Sequence, residues 1–159
     1  MLHIVLYQPE IPENTGNISR MCVGMNVILH LIRPYGFFLT NKKLIRSGVD
    51  YWDKLILQEH DSYQKFYKSL KSPFQIFYIT KFGKQNPSDF KYQFKQNTYF
   101  VFGKESSGLP RKILDQNENH TIRIPSSNNV RSLNLSNCVA IMSYEYTRQT
   151  KFESLNKKW

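Results

Sequence analysis

Six short runs of β-branched and aromatic residues, with helical patterns between them, constrain the fold of this chain more than any other feature. They are LHIVLY (2–7), VILHLIR (27–33), KLILQ (54–58), FQIFYIT (74–80), TYFVFG (98–103) and HTIRIP (120–125). LHIVLY is apolar at most positions rather than at alternate ones, so it reads as a strand covered on both faces. Strands of this kind alternating with helices predict an α/β fold, a mostly parallel sheet with helices on both faces.

The intervening segments agree. Asn14 or Thr15 can cap a helix in which Ile18, Met21, Cys22 and Met25 recur at i, i+3, i+4 and i+7 and face the core. The same spacing puts Asn17 and Arg20 together on another face, close to the preceding loop. TNKKLIRSG (40–48) predicts a short helix with a threonine cap, and DSYQKFYKSLK (61–71) a helix capped by Asp61 with Tyr63, Phe66, Tyr67 and Leu70 on one side. After Asn134 comes the last long helix. Its residues Leu135, Cys138, Val139, Met142 and Tyr146 form one apolar stripe, while Asn137, Ile141, Tyr144 and Arg148 form a second, which predicts a subunit interface as well as a core contact. No repeat, low-complexity tract or linker divides the chain. Residues 1–159 are expected to form a single domain ending in a short basic tail.

No apolar run approaches the ~20 residues that cross a bilayer, and MLHIVLYQPE lacks a basic leader and a cleavage site, so a cytoplasmic protein without membrane contact is expected. Cys22 and Cys138 each lie in an apolar helical pattern, which predicts buried thiols in a reducing compartment. His3, His30, His60 and His120 are scattered without ligand spacing, so no metal is expected. The formal charge of +10 points to a polyanionic partner, with compositional drift toward lysine as the plainer reading. Arg20, Arg131 and Arg148 nevertheless sit in the most patterned segments, and arginine offers a planar fork for phosphate that lysine lacks.

Three loops follow strands: PEIPENTGNISR, FGKESSGLP and IPSSNNVRSLNLSN. Ligands gather at the carboxyl ends of strands in open α/β sheets, so these loops are candidates for one pocket. Gly103 and Gly108 have phosphate-loop spacing, but Leu109 and Pro110 stand where Lys and Ser/Thr are needed, which excludes a nucleoside-triphosphate loop. Pro110 suits the first position of a helix, and Glu105 suits a hydroxyl or ammonium partner. In the third loop either Ser132 or Asn134 can cap the last helix; the remaining polar groups need partners if buried, and a ligand with many donors and acceptors would supply them. The first strand is not followed by GxGxxG, which argues against a dinucleotide oxidoreductase.

Taken in order, NTGNISR, FGKESSGLP and IPSSNNVRSLNLSN resemble the three motifs of the SpoU-class RNA ribose methyltransferases of the SPOUT superfamily, over residues 1 to about 150. The opening LYQPEIPENTGNISR and the closing SLNLSNCVAIMSYEYTRQ are most similar to the minimal branch that methylates the tRNA wobble nucleotide, cytidine or modified uridine 34. The resemblance implies a C-terminal deep trefoil knot, S-adenosylmethionine as methyl donor, a homodimer and tRNA as substrate, with leucine isoacceptors expected. By motif it implies Arg20 as the principal catalytic residue with Asn17 beside it, and Glu105, Ser132 and Asn134 helping to set the site. It puts the cofactor against Ile79, Gly103, Ile124, Ser132 and Leu133, and makes Tyr144, Arg131 and Arg148 substrate contacts. Two alternatives stay open at this point: the same chemistry on another tRNA or rRNA nucleotide, and a noncatalytic RNA-binding module.

Overall fold

The computed structural model describes residues 1–37 and 49–155; the helix expected over 40–48 lies outside them. The described elements are β1 (Leu2–Tyr7), α1 (Pro12–Gly24), β2 (Ile28–Ile32), a 3-10 turn (Val49–Lys54), β3 (Leu57–His60), α2 (Tyr63–Ser69), β4 (Phe74–Ile79), β5 (Asn97–Phe102), α3 (Arg111–Asp115), β6 (Thr121–Ile122) and α4 (Leu135–Gln149), with two further 3-10 turns at Pro87–Asp89 and Glu118–His120. The strands form one sheet in the order β3-β2-β1-β5-β4-β6, with every pairing parallel. After β3 the chain crosses to the other half of the sheet. The connections leaving the adjacent strands β1 and β5 therefore run apart, which opens a crevice at their carboxyl ends.

Both faces of the sheet are covered, as the apolar runs require. Leu2, Ile4, Leu6, Leu29, Leu31, Phe100 and Phe102 pack with Ile18 and Cys22 of α1 and with Val139, Met142 and Tyr146 of α4. Val5, Ile32, Tyr78, Tyr99 and Val101 pack on the opposite face with Phe66 of α2 and with Ile113 and Leu114 of α3. At about 25 cal/mol per Å² of apolar surface removed from water, this two-sided burial is the main force holding the layers together.

Several expected boundaries move, each for a local reason. The third strand begins at Leu57 rather than Lys54, because residues 49–54 are taken by the 3-10 turn. The last strand keeps only Thr121 and Ile122, because the Arg123 N–H leaves the ladder and donates to the Gln85 carbonyl at 2.8 Å. Helix α2 is capped by Ser62, whose side chain accepts from the Lys65 N–H, while Asp61 pairs with the Lys65 ammonium at 2.5 Å. Tyr67 of that helix is 46% exposed rather than on the core side. Pro110 precedes α3 as its cap instead of opening it.

The β4–β5 connection and the exit from β6 lie in close contact. A Cβ on Gly83 would stand 2.4 Å from the Ile122 carbonyl carbon and 2.5 Å from the Arg123 nitrogen. Only a glycine lets those two backbones pass.

The histidines hold a surprise. His3, His30 and His60 come from three adjacent strands and form one hydrogen-bonded row, His3 Nδ1 to His30 Nε2 and His30 Nδ1 to His60 Nε2, each at 2.9 Å. The parallel register pairs His30 with Val5 and His60 with Ile32, so each ring stands two residues further along than its neighbour on the same face. Their separation in sequence concealed this. Among the described residues no group of His, Cys, Asp or Glu is arranged to hold a metal ion.

Candidate active site

Helix α1 starts at Pro12, two residues before the expected cap, and its own side chains cap nothing. Its entrance is held instead by Glu105, which accepts from the two N–H groups just ahead of the helix, Glu10 at 2.8 Å and Ile11 at 3.3 Å. A carboxylate suits this place because a helix N-terminus presents unpaired N–H groups and a partial positive charge. Asn14, freed from capping, donates to Glu105 at 3.1 Å, and its carbonyl oxygen accepts from the Asn134 amide at 3.0 Å. Asn134 Oδ1 in turn caps α4 through the Ser136 and Asn137 N–H groups, which settles the choice between Ser132 and Asn134.

A second clasp runs the other way. The Glu10 carboxylate accepts from the Ser106 N–H and hydroxyl, both at 2.9 Å, and these bonds, ahead of any charge effect, hold it below the usual carboxylate range. Arg131 donates to the Ser106 carbonyl at 3.2 Å. The loops after β1 and β5 and the loop before α4 are thus locked into one unit by side chains as far as 120 residues apart. Of the third loop's short polar residues, Asn134 caps the helix and ties it to Asn14 of the first loop.

Between the loops lies a cavity of about 600 Å³. Ile79, Gly103, Glu105, Ile124, Arg131, Ser132, Leu133 and Asn134 all line it, so eight of the twelve expected site residues meet there. Leu109 and Cys138 add apolar wall, and Ser126, Ser127 and Asn128 add hydroxyl and amide groups. Gly103 is packed so tightly that a Cβ would stand 2.1 Å from the Gly108 carbonyl carbon, and Gly108 itself has φ +73°, the left-handed region. Cys138 is half-buried; burial raises its thiol pKa, so it is a neutral wall residue rather than a nucleophile. Asn14 stood out in the sequence only as a helix cap, and Ser106 not at all. The signal for Asn14 is a polar residue in the first turn of a helix, which looks the same whether it reaches solvent or another loop.

Arg20, Asn17, Tyr144 and Arg148 do not line this cavity. Arg20 and Asn17 are exposed on α1, with the Arg20 guanidinium 5.4 Å from the centre of the Tyr51 ring. Tyr144 is 58% exposed and Ile141 41% exposed on α4, so the second stripe of that helix faces outward, and Arg148 pairs with Glu145 at 2.8 Å.

The cavity suits an adenosyl sulfonium compound: apolar walls for a purine, a glycine edge for close backbone approach, and hydroxyl, amide and basic groups for ribose and carboxylate. Comparison with known proteins agrees with the geometry. A Listeria innocua protein named as a tRNA (cytidine(34)-2'-O)-methyltransferase is 51% identical over 154 residues, which is 96% of this chain and 90% of that one. The solved structure of an RNA methyltransferase from Bacillus anthracis superposes with a TM-score of 0.92 at 44% identity, covering 100% of both chains. Another, described by the 2-OH methylation of C/U34 on tRNA, gives 0.90 at 40% identity and covers 96% of this chain and 98% of that one. Residues 1–144 match the SpoU rRNA methylase family, and with the three loops closed on one pocket at the end of a parallel sheet, the chain belongs to that family.

Proposed function

We propose that this protein transfers a methyl group from S-adenosylmethionine to the ribose 2′-hydroxyl of nucleotide 34 of tRNA, on cytidine or modified uridine, with leucine isoacceptors as the substrates to assay first. The observation that carries the reading is the Glu10–Glu105–Asn14–Asn134 clasp, which closes three separate loops around one cavity in a chain that matches tRNA nucleotide-34 enzymes over nearly its whole length. Bound in that cavity, the cofactor supplies an electrophilic methyl with a good leaving group. The protein's part is alignment and the handling of charge on the attacking 2′-oxygen.

Ile79, Gly103, Ile124, Ser132 and Leu133 hold the cofactor, largely through backbone groups. Glu105, Ser132 and Asn134 keep the loops in register. Arg20, with Asn17 beside it, fixes the target phosphate or stabilises the developing alkoxide. A guanidinium is almost never neutral, so it is no general base, and the proton leaves to phosphate oxygen or water. Arg20 stands outside the cavity of its own chain, so the reading includes a homodimer in which α1 of a second copy completes the site. The exposed stripe of Ile141 and Tyr144 supports that interface, and Tyr144, Arg131 and Arg148 contact the RNA. The C-terminal trefoil knot is part of the proposal, supported by the passage of the β6 exit against Gly83. So is a cytoplasmic location, where tRNA is modified; among the described residues no helix is long and apolar enough to cross a membrane.

The test is transfer of labelled methyl to total tRNA lacking this modification, followed by mapping of the product nucleotide. A 2′-O-methyl group at position 34 is expected from the wild type, with Arg20→Lys retaining the charge but losing turnover at least tenfold. Near-full turnover by Arg20→Lys refutes the positioning role, and transfer only to rRNA refutes the tRNA substrate. Mixing Arg20→Ala chains with Glu105→Ala chains restores activity if Arg20 acts across the interface and leaves it absent otherwise.

A further inference from the structure

At the rim of the cavity, Thr80 to Gly83 form a tight turn in which the Gly83 N–H donates to the Thr80 carbonyl at 3.1 Å and the Phe82 N–H to the Thr80 hydroxyl at 3.3 Å. The turn holds the Phe82 ring outward, 52% exposed. A single exposed phenylalanine means little by itself. Here, however, two cations share the ring: the Lys81 ammonium lies 5.0 Å and the Arg111 guanidinium 4.6 Å from its centre. Arg123 lines the same cavity. Among the described residues neither Lys81 nor Arg111 has an ion-pair partner, whereas Arg33, Lys65, Lys84 and Arg148 are each paired with a carboxylate. Two unpaired cations gathered on one ring leave a local excess of positive charge that a phosphate at this edge would neutralise. The ring holding them offers a stacking surface that accepts any base.

We propose that Lys81, Phe82 and Arg111 form a second RNA-contact site, separate from Tyr144 and Arg148 on α4, that receives a phosphate and a base adjoining the methylated nucleotide. The proposal rests on the reading of this chain as an RNA methyltransferase. The site sits where the chain after β4 and the start of α3 meet the cavity mouth, so an RNA strand entering with its target ribose passes over it. Single-stranded anticodon nucleotides expose the bases that stacking needs, which a duplex does not.

The experiment compares wild type, Phe82→Ala, Phe82→Trp and Arg111→Gln in three measurements: S-adenosylmethionine binding by calorimetry, tRNA binding across a salt series, and steady-state methyl transfer. For Phe82→Ala the expected result is a rise in tRNA KM of about tenfold with cofactor affinity and Tm unmoved, and Phe82→Trp restores the KM because the flat ring is what matters. For Arg111→Gln the slope of log K against log salt falls by about one, the mark of one lost phosphate contact. Unchanged tRNA affinity in both Phe82→Ala and Arg111→Gln overturns the proposal, as does a parallel loss of cofactor binding, which would assign Phe82 to the cofactor pocket. The two readings fail separately. A wild type that binds RNA through Phe82 but leaves nucleotide 34 unmethylated refutes the activity alone, and one that methylates it while Phe82→Ala performs equally refutes this site alone.

Discussion

Acidification from pH 7.5 to 5.0 should strip this protein of a large part of its stability through the histidine row. In an unfolded chain each histidine takes up a proton near pH 6.5. In the fold, burial pushes His3 down to about 4 and His30 down to about 3, with the neighbouring charges adding to the fall at His30, and burial lowers His60 as well. The groups facing the row are the Met1 amino group, which lowers His3 further, and Asn97 and Asp61, which oppose the shifts at His3 and His60. Tyr99 and Phe66 close the remaining wall with uncharged rings. Because the folded pKa values lie below the unfolded one, the unfolded chain binds protons first. Stability is full above pH 6.5 and is lost as pH falls toward 4. At pH 5.0 His3 and His30 each cost about 2 kcal/mol relative to pH 7.5, so together about 4 kcal/mol, out of a total of roughly 5–15 kcal/mol for a typical domain. The window stops at pH 5.0 because ordinary carboxylates, with pKa near 4, have barely titrated there. Urea denaturation at pH 7.5, 6.0 and 5.0 reads the effect as a midpoint shift above about 1 M, given slopes of about 1–3 kcal/mol per molar. Replacing the central ring by His30→Leu should weaken the fold at every pH but cut the acid-dependent loss by about half. A midpoint that hardly moves, or a pH slope that survives His30→Leu intact, refutes the reasoning.

Two further outcomes concern the site. Glu105→Gln keeps the size of the side chain but removes the charge from three hydrogen bonds at the start of α1, at about 1 kcal/mol or more each, so S-adenosylmethionine binding by calorimetry should weaken at least tenfold with only a modest fall in Tm. An unchanged affinity would separate the clasp from the pocket. Gly103→Ala inserts a methyl 2.1 Å from the Gly108 carbonyl carbon, a backbone atom that cannot swing aside, so cofactor binding should be abolished rather than reduced; measurable binding would show that the loop after β5 opens freely.

The sequence by itself determined the class of the fold, because a run such as LHIVLY is apolar on successive positions and can only be satisfied between two layers. It determined α4 as well, and its local pattern narrowed the cap to Ser132 or Asn134, between which the fold chose Asn134. It also carried the loop motifs, and most glycines and polar residues of the second and third line the cavity, with Asn14 from the first. What it could not decide were relations between residues distant along the chain. The start of α1 was misplaced because the chain entering it is held by Glu105, over ninety residues away, and no local pattern records a helix entrance fixed from another loop. The histidines looked unrelated because only the strand register, His30 beside Val5 and His60 beside Ile32, stacks them. Arg20 is plain in the sequence, yet only the fold shows that it does not line the pocket of its own chain and rests against Tyr51. Patterning governs which faces avoid water, and that is a local property. Which loops meet, and which side chains then find their hydrogen-bond partners, is fixed only when the strand order closes.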